Sequence, residues 1–173
     1  MASHLAPLII DDRSSGNLTA TNGANWRAIA DTVMGGVSVA QLQITMIEQR
    51  PCLCLTGRVS LENNGGFVQA SLDLCKSGTL DATGYAGIEI HVLGNSEGYN
   101  LHLRTTDTRI VWQSYRASFV APPHWTIVRL PFDSFQPHRI STPLDKSQLR
   151  RLGLVAIGRE MQAEVSIARL SFY

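Results

Sequence analysis

The sequence has little of what marks a specialised chain. It has three cysteines, Cys52, Cys54 and Cys75. That odd number argues against a secreted disulfide scaffold and fits a reducing cytoplasm. Cys52 and Cys54 lie two apart in a strand-like run, so they read as small residues on one strand face, and no C-x-x-C partner follows to make a metal site. Charge of one sign is also missing. The 15 Lys and Arg against 14 Asp and Glu leave a formal charge of +1, whereas a nucleic-acid partner calls for a basic excess on one face. No apolar run reaches the roughly 18 residues that a membrane helix needs. The opening "MASHLAPLIIDDRSS" has no basic stretch and soon meets Asp11 and Asp12, so it does not read as a secretory signal. Helical periodicity is scarce: "PLDKSQLRRLG" offers one short turn at most, begun by Asp145 or Ser147.

What the chain does have is short apolar alternation with period two. "QLQITMIE" sets Leu42, Ile44 and Met46 on one face, and "CLCLTGRVSL" does so with Leu53, Leu55, Val59 and Leu61. "GIEIHVLG", "YNLHLRTT" and "WTIVRLPF" follow with Ile88, Ile90, Val92, then Leu101, Leu103, then Val128, Leu130, Phe132. "LGLVAIG" and "EVSIARLSFY" close the chain. Such runs, separated by Gly, Asn, Asp and Pro, predict half-buried strands in an all-β sandwich, with the last strand tied into a sheet as in a jelly roll. The length of 173 residues favours one domain, 1–173, in which the poorly patterned start supplies one early strand and a long connection.

The stretch "ADTVMGGVSVAQ", residues 30–41, has three readings. A phosphate loop needs a lysine after its glycines, and none lies near Gly35 and Gly36. A nucleophile loop would set Ser38 in G-x-S-x-G on a strand-to-helix elbow, and the pattern here is G-G-V-S-V between strands. The five histidines, His4, His91, His102, His124 and His138, cannot be placed beside Ser38 from sequence. A glycine-turned corner fits better: Asp31 accepts hydrogen bonds from its own turn and Met34 plugs the space beneath. A second corner stands at "ENNGGF", where Asn63, Asn64, Gly65 and Gly66 form a tight polar turn anchored by Phe67, and Asn-Gly favours a hairpin.

Trp26, then "DTVMGGVS" (31–38), then "GRVSLENNGGF" (57–67) together resemble the complex I intermediate-associated protein family. The resemblance runs on through "LDATGYAGIEIHVLG", "YNLHLRT", "HWTIVRLPFDSFQP" and "LDKSQLRRLGLVAIG" and covers residues 26–173. It implies a galactose-binding-domain-like jelly-roll β-sandwich, no defining catalytic activity and no cofactor. It also implies assembly work on NADH:ubiquinone oxidoreductase, with protein partners in a membrane respiratory or other multisubunit complex. The same fold occurs among carbohydrate-binding modules, which keeps carbohydrate as the alternative ligand. The N-terminus is not arginine-rich, so a mitochondrial role is not carried over with the resemblance.

A candidate ligand or partner face comes from pairing arithmetic. If "GIEIHVL" and "YNLHLRT" form a hairpin around "GNSEG", then Glu89, His91, Asn100, His102 and Arg104 share the outer face. His91 would oppose His102, and Glu89 would oppose Arg104. The next strand would add Trp112 or Gln113 and Tyr115, with Trp112 the best placed to stack on a sugar or grip a partner. A solvated sheet face with one cross-strand ion pair is the plainer reading of the same residues. Two imidazoles without a third ligand do not make a zinc site.

Overall fold

A computed structural model describes residues 5–173; His4 lies outside them. Twelve strands form in chain order: β1 (Leu8–Asp11), β2 (Arg27–Ala30), β3 (Val39–Ile47), β4 (Arg50–Val59), β5 (Phe67–Asp73), β6 (Gly87–Gly94), β7 (Gly98–Thr105), β8 (Ser114–Val120), β9 (Thr126–Pro131), β10 (Gln136–His138), β11 (Leu149–Ile157) and β12 (Met161–Phe172). They build two six-stranded antiparallel sheets. One runs β3-β4-β12-β6-β9, with β1 added against β12; the other runs β10-β8-β7-β11-β5-β2. The inward faces carry the alternating apolar residues read from the sequence, including Leu53, Leu55, Ile88, Ile90, Leu101, Leu103 and Leu154, all buried. This is the jelly-roll β-sandwich that the alternation predicts.

Several local expectations change. The start of the chain supplies two strands, one to each sheet, rather than one. "PLDKSQLRRLG" forms no helical turn; the Asp145 carboxylate instead accepts from the Ser147 amide at 3.0 Å and its hydroxyl at 2.6 Å, a side-chain turn that leads into β11. Ile44 and Met46 are exposed, because β3 is an edge strand with a neighbour on one side alone. Leu61 is exposed beyond the end of β4. "ENNGGF" does not close a hairpin: it carries the chain from β4 in one sheet to β5 in the other. Asn63 and Asn64 take left-handed backbone there, φ 56° and 58°, a conformation that asparagine tolerates better than most residues.

Asp31 holds this end of the sandwich together. It follows β2 in one sheet, and its fully buried carboxylate reaches both crossings between the sheets. One oxygen accepts from the Ser38 amide at 2.9 Å, just before β3. The other accepts from the Ser38 hydroxyl, from the Gly66 amide at 2.5 Å and from the Phe67 amide at 3.2 Å, where β5 begins. The Ser38 hydroxyl in turn accepts from the Ser60 amide at 2.8 Å. The two glycine corners are therefore one structure. A Cβ on Gly36 would lie 2.3 Å from an Asp31 carboxylate oxygen, and one on Gly65 would lie 2.6 Å from the other. Glycine is required at both positions by the carboxylate itself. Gly35, at φ 87°, is required by backbone conformation. Met34 does not plug this corner: it is half exposed on its outer side, because the carboxylate already fills the space beneath the turn.

Burial alone would raise the Asp31 pKa, but the hydrogen bonds from Ser38, Gly66 and Phe67 outweigh it and hold the carboxyl below the usual aspartate value. A carboxyl with a depressed folded-state pKa contributes stability that is complete above its unfolded-chain value and is lost as pH falls through the folded one. Urea unfolding is expected to show acid destabilisation setting in below about pH 4, with a shallower slope in Asp31→Asn. At neutral pH, Asp31→Ala is expected to lose about 3 kcal/mol or more, since it strands several buried donors, and Gly36→Ala about 1–3 kcal/mol from overpacking. Unfolding midpoints equal to the unaltered protein's would refute the clasp.

Candidate functional site

The sheet β10-β8-β7-β11-β5-β2 presents a groove on its outer face, with a volume of about 210 Å³. Cross-strand register sets its floor. One row reads Arg27, Ser71, Gly153, His102, Arg116, Gln136 across the six strands. A neighbouring row carries Ile29, Gln69, Val155 and Asn100. Towards one end Asp73, Arg151 and Arg104 adjoin. Phe67 and Ile157 pair at the other. Two loops raise the walls. The turn after β2 contributes Val33 and Met34, 68% and 50% exposed, and the loop before β8 contributes Val111 and Trp112, 61% and 53% exposed. The Asp31 clasp thus fixes one wall directly.

Arg104 fixes the other wall. Its guanidinium donates to the Thr108 and Ile110 carbonyls, each at 3.2 Å, and to the Val111 carbonyl at 3.5 Å. The Thr108 hydroxyl donates to the Thr105 carbonyl at 2.8 Å and closes the same loop. Burial, and then the nearby Arg151 and Arg150, lower the Arg104 pKa. Beside the groove, Arg104 and Arg151 also line a polar hollow with Asp73, Lys76, Thr108 and Arg150.

The candidate face splits between the two sheets, since β6 and β7 belong to different sheets and form no hairpin. His91 does not oppose His102, and Glu89 does not oppose Arg104. Glu89 and His91 lie on the outer face of the other sheet. There the Arg129 Nε donates to Glu89 at 2.9 Å, and His91 Nε2 stands 3.2 Å from its other oxygen. Arg50 reaches His91 Nδ1 at 3.0 Å and lies over the Trp125 ring at 4.8 Å. Burial would raise the Glu89 pKa, but the hydrogen bonds from His91 and Arg129 bring it below the usual value. Tyr115 also leaves the face: it pairs with Leu103, points into the core, and donates its hydroxyl to the Thr142 carbonyl at 2.6 Å. Trp26 is a core residue whose indole N–H donates to Asp11 at 2.7 Å. Asn100, His102, Arg104 and Trp112 do share the grooved side of one sheet.

The sequence reading missed Ser71, Gln69, Gly153 and Arg116. Gly153 was the available signal, as a glycine inside an otherwise apolar strand marks a close approach. A Cβ there would meet the Gln69 amide oxygen at 1.9 Å, so the Gln69 side chain folds into the gap.

His102 is mostly buried, and burial followed by the nearby Arg116 and His138 lowers its pKa to about 3. The imidazole is neutral at physiological pH. The unfolded chain takes up this proton near 6.5 and the folded chain only near 3, so this residue's contribution to stability is greatest above 6.5 and falls as pH drops between those values. In His102→Gln the loss of stability between pH 6.5 and 4 is expected to be smaller than in the unaltered protein; an identical pH profile would show that His102 is solvated.

Among the described residues, no group of three or more His, Cys, Asp or Glu gathers to hold a metal ion, and no helix is long and apolar enough to cross a membrane. The fold is similar to that of the family 11 carbohydrate-binding module of the cellulosomal cellulase Lic26A-Cel5E of Clostridium thermocellum. The TM-score is 0.77 at 12% identity, over 98% of this chain and 95% of that one. A family 11 module from the same organism in complex with a β-1,3-1,4-mixed-linked tetrasaccharide gives 0.76 at 12% identity, over 98% and 96%. The family 30 module of cellulosomal cellulase Cel9D-Cel44B from Clostridium thermocellum gives 0.70 at 14% identity, over 98% of each chain. At such identities the likeness establishes the jelly-roll fold. No curated protein matches this chain by sequence. The family model for complex I intermediate-associated protein 30 matches residues 17–167, which include the clasp, the groove and both glycine corners. On that match over most of its length, the chain belongs to the complex I intermediate-associated protein 30 (CIA30) family.

Proposed function

We propose that this chain is a non-catalytic assembly-type module that holds an extended segment of a partner protein in the groove, the partner being a subunit of a multisubunit complex of the membrane respiratory kind. The carrying observation is the pair of walls, Val33 with Met34 and Val111 with Trp112, which stay exposed although one is tethered by the buried Asp31 and the other by the half-buried Arg104. Exposed apolar side chains on fixed loops are the composition of a binding hot spot: Trp is enriched there, and Met adapts to irregular partners. Charge completes the argument. Arg104, Arg116 and Arg151 line the groove; Asp73 engages Arg151 at one end, while Arg116 has no carboxylate partner among the described residues, which favours an acidic, apolar-anchored segment.

Carbohydrate is the second reading, favoured by Trp112 at the rim and by the solved neighbour that binds a mixed-linked tetrasaccharide. The groove offers that ligand one exposed aromatic ring and no carboxylate to accept from hydroxyls, so the protein reading ranks first.

A photo-crosslinking residue at Val33, in a chain expressed in its native host, tests the reading. The expected product is a covalent adduct with one identified subunit of a multisubunit complex, the affinity for that subunit reduced about thirtyfold by Trp112→Ala, the loss usual for a hot-spot residue. Absence of any adduct, together with binding on a glycan array that Trp112→Ala abolishes, would overturn it in favour of carbohydrate.

A further inference from the structure

We infer that the groove floor is a carboxylate receptor, built from Ser71, His102 and Arg116 around the gap at Gly153, and that it takes a carboxylate carried on an apolar body. The inference specifies the chemistry of the occupant proposed above. It rests on the floor of the groove, whereas the partner reading rests on its walls.

The first observation is unmet hydrogen bonding. The Ser71 hydroxyl oxygen is fully buried and has no partner, and neither has the buried Nε2 of His102. Both residues flank Gly153 in the same cross-strand row. Buried polar atoms are paired in nearly all native structures, and one left unpaired carries a desolvation cost. Alanine at 71 or an apolar ring at 102 would remove that cost without altering either strand. Two of the four such side-chain atoms among the described residues thus line one groove, one on either side of Gly153, where a ligand can reach both.

The second observation is the kind of group presented. Arg116 pairs with His102 across the strands and uses its Nε on the Ser114 hydroxyl at 2.9 Å. Its two terminal nitrogens make no hydrogen bond among the described residues and form the fork that a carboxylate meets with two parallel bonds. Arg151 is already engaged by Asp73 at 2.9 Å, and Arg104 by the carbonyls of its loop. Arg116 is therefore the cation left for a ligand. A neutral imidazole donates from one nitrogen, so with its hydrogen on Nε2 His102 adds a donor to the Ser71 hydroxyl and the Arg116 fork. Carboxylate, an acceptor without hydrogens, matches three donors and no acid.

The third observation is the surroundings. Ile29, Phe67, Val155 and Ile157 frame this floor. Low dielectric strengthens a charged hydrogen bond, and the apolar frame needs an apolar body to cover it. The Gln69 amide lies over Gly153 with no hydrogen bond of its own among the described residues, so an incoming carboxylate swings it aside.

Titration of the full chain by NMR, following the ring nitrogens of His102, tests the inference. Three blocked peptides serve as probes: acetyl-Leu-Glu-Leu-amide, acetyl-Leu-Leu-Leu with a free C-terminal carboxylate, and acetyl-Leu-Gln-Leu-amide; inorganic phosphate is the fourth. Saturable shifts of the His102 ring are expected with the first or the second, which identifies a side-chain or a chain-terminal carboxylate as the source. The neutral glutamine peptide is expected to bind about tenfold or more weakly, the usual loss of a charge-assisted hydrogen bond. Arg116→Gln and Ser71→Ala should each weaken the carboxylate peptide by a similar factor. Ser71→Ala should melt at the same temperature as the unaltered protein or higher, a result that a purely structural serine would not give. Equal binding of the glutamic and glutamine peptides, binding of phosphate alone, or no shift with either carboxylate at millimolar concentration would overturn the receptor and leave the crosslinking result to decide the partner reading. A lower melting temperature in Ser71→Ala would assign Ser71 to the fold instead.

Discussion

One buried carboxylate carries much of this architecture. Asp31 follows β2 in one sheet and accepts from Ser38, the residue before β3 in the other, then from the Gly66 and Phe67 amides where β5 begins. A sandwich is held chiefly by apolar burial between its sheets, which has no direction. The clasp supplies direction. It fixes where two crossings meet, excludes a Cβ from Gly36 and Gly65, and sets the turn on which Val33 and Met34 stand. The motifs "DTVMGGVS" and "ENNGGF" are far apart in the chain yet form one hydrogen-bonded unit, and that accounts for their joint value as a signature.

The groove depends on that clasp at one wall and on Arg104 at the other. Both walls use a charged side chain, its hydrogen bonds directed at backbone, to hold apolar side chains in water. Backbone partners make the support independent of which apolar residues the loops display. The floor has the opposite character, polar atoms without partners under an apolar frame. On the proposed reading such a surface trades some stability for recognition, and it lies on one sheet only. On the outer face of the other sheet Glu89, His91, Arg129 and Arg50 are tied to one another and to Trp125, although the buried Nε of Arg169 beside His91 has no partner. The grooved face is the one on which exposed apolar loops stand over the sheet.

Much of the fold was legible in the sequence because side-chain direction in a strand alternates residue by residue. Ile88, Ile90 and Val92 had to face a core whichever strands flanked them. The glycine corners were legible as corners, since few other residues enter left-handed backbone. The candidate face was legible only in halves. His102 and Arg104 do face outward and Trp112 is exposed, but His91 and Glu89, expected opposite the first two, lie on the other sheet. The expected hairpin assumed that consecutive strands pair, while here the five residues of "GNSEG" span the two sheets. Met34 was misplaced because nothing local says whether a carboxylate or a thioether fills the space beneath a turn.

Alternation and turn chemistry by themselves indicated an all-β sandwich, and the paired glycine motifs supplied the family resemblance that the match over residues 17–167 bears out. They also gave the outward residues of most strands, Tyr115 of β8 excepted. Only the tertiary structure decided which outward residues stand together. Ser71, Gly153, His102 and Arg116 come from four separate strands, and their row is set by hydrogen-bond register between strands distant in the chain. Period-two alternation carries the face of a residue and nothing about its neighbour. The pairing that makes a site is settled only when two sheets close over a common core.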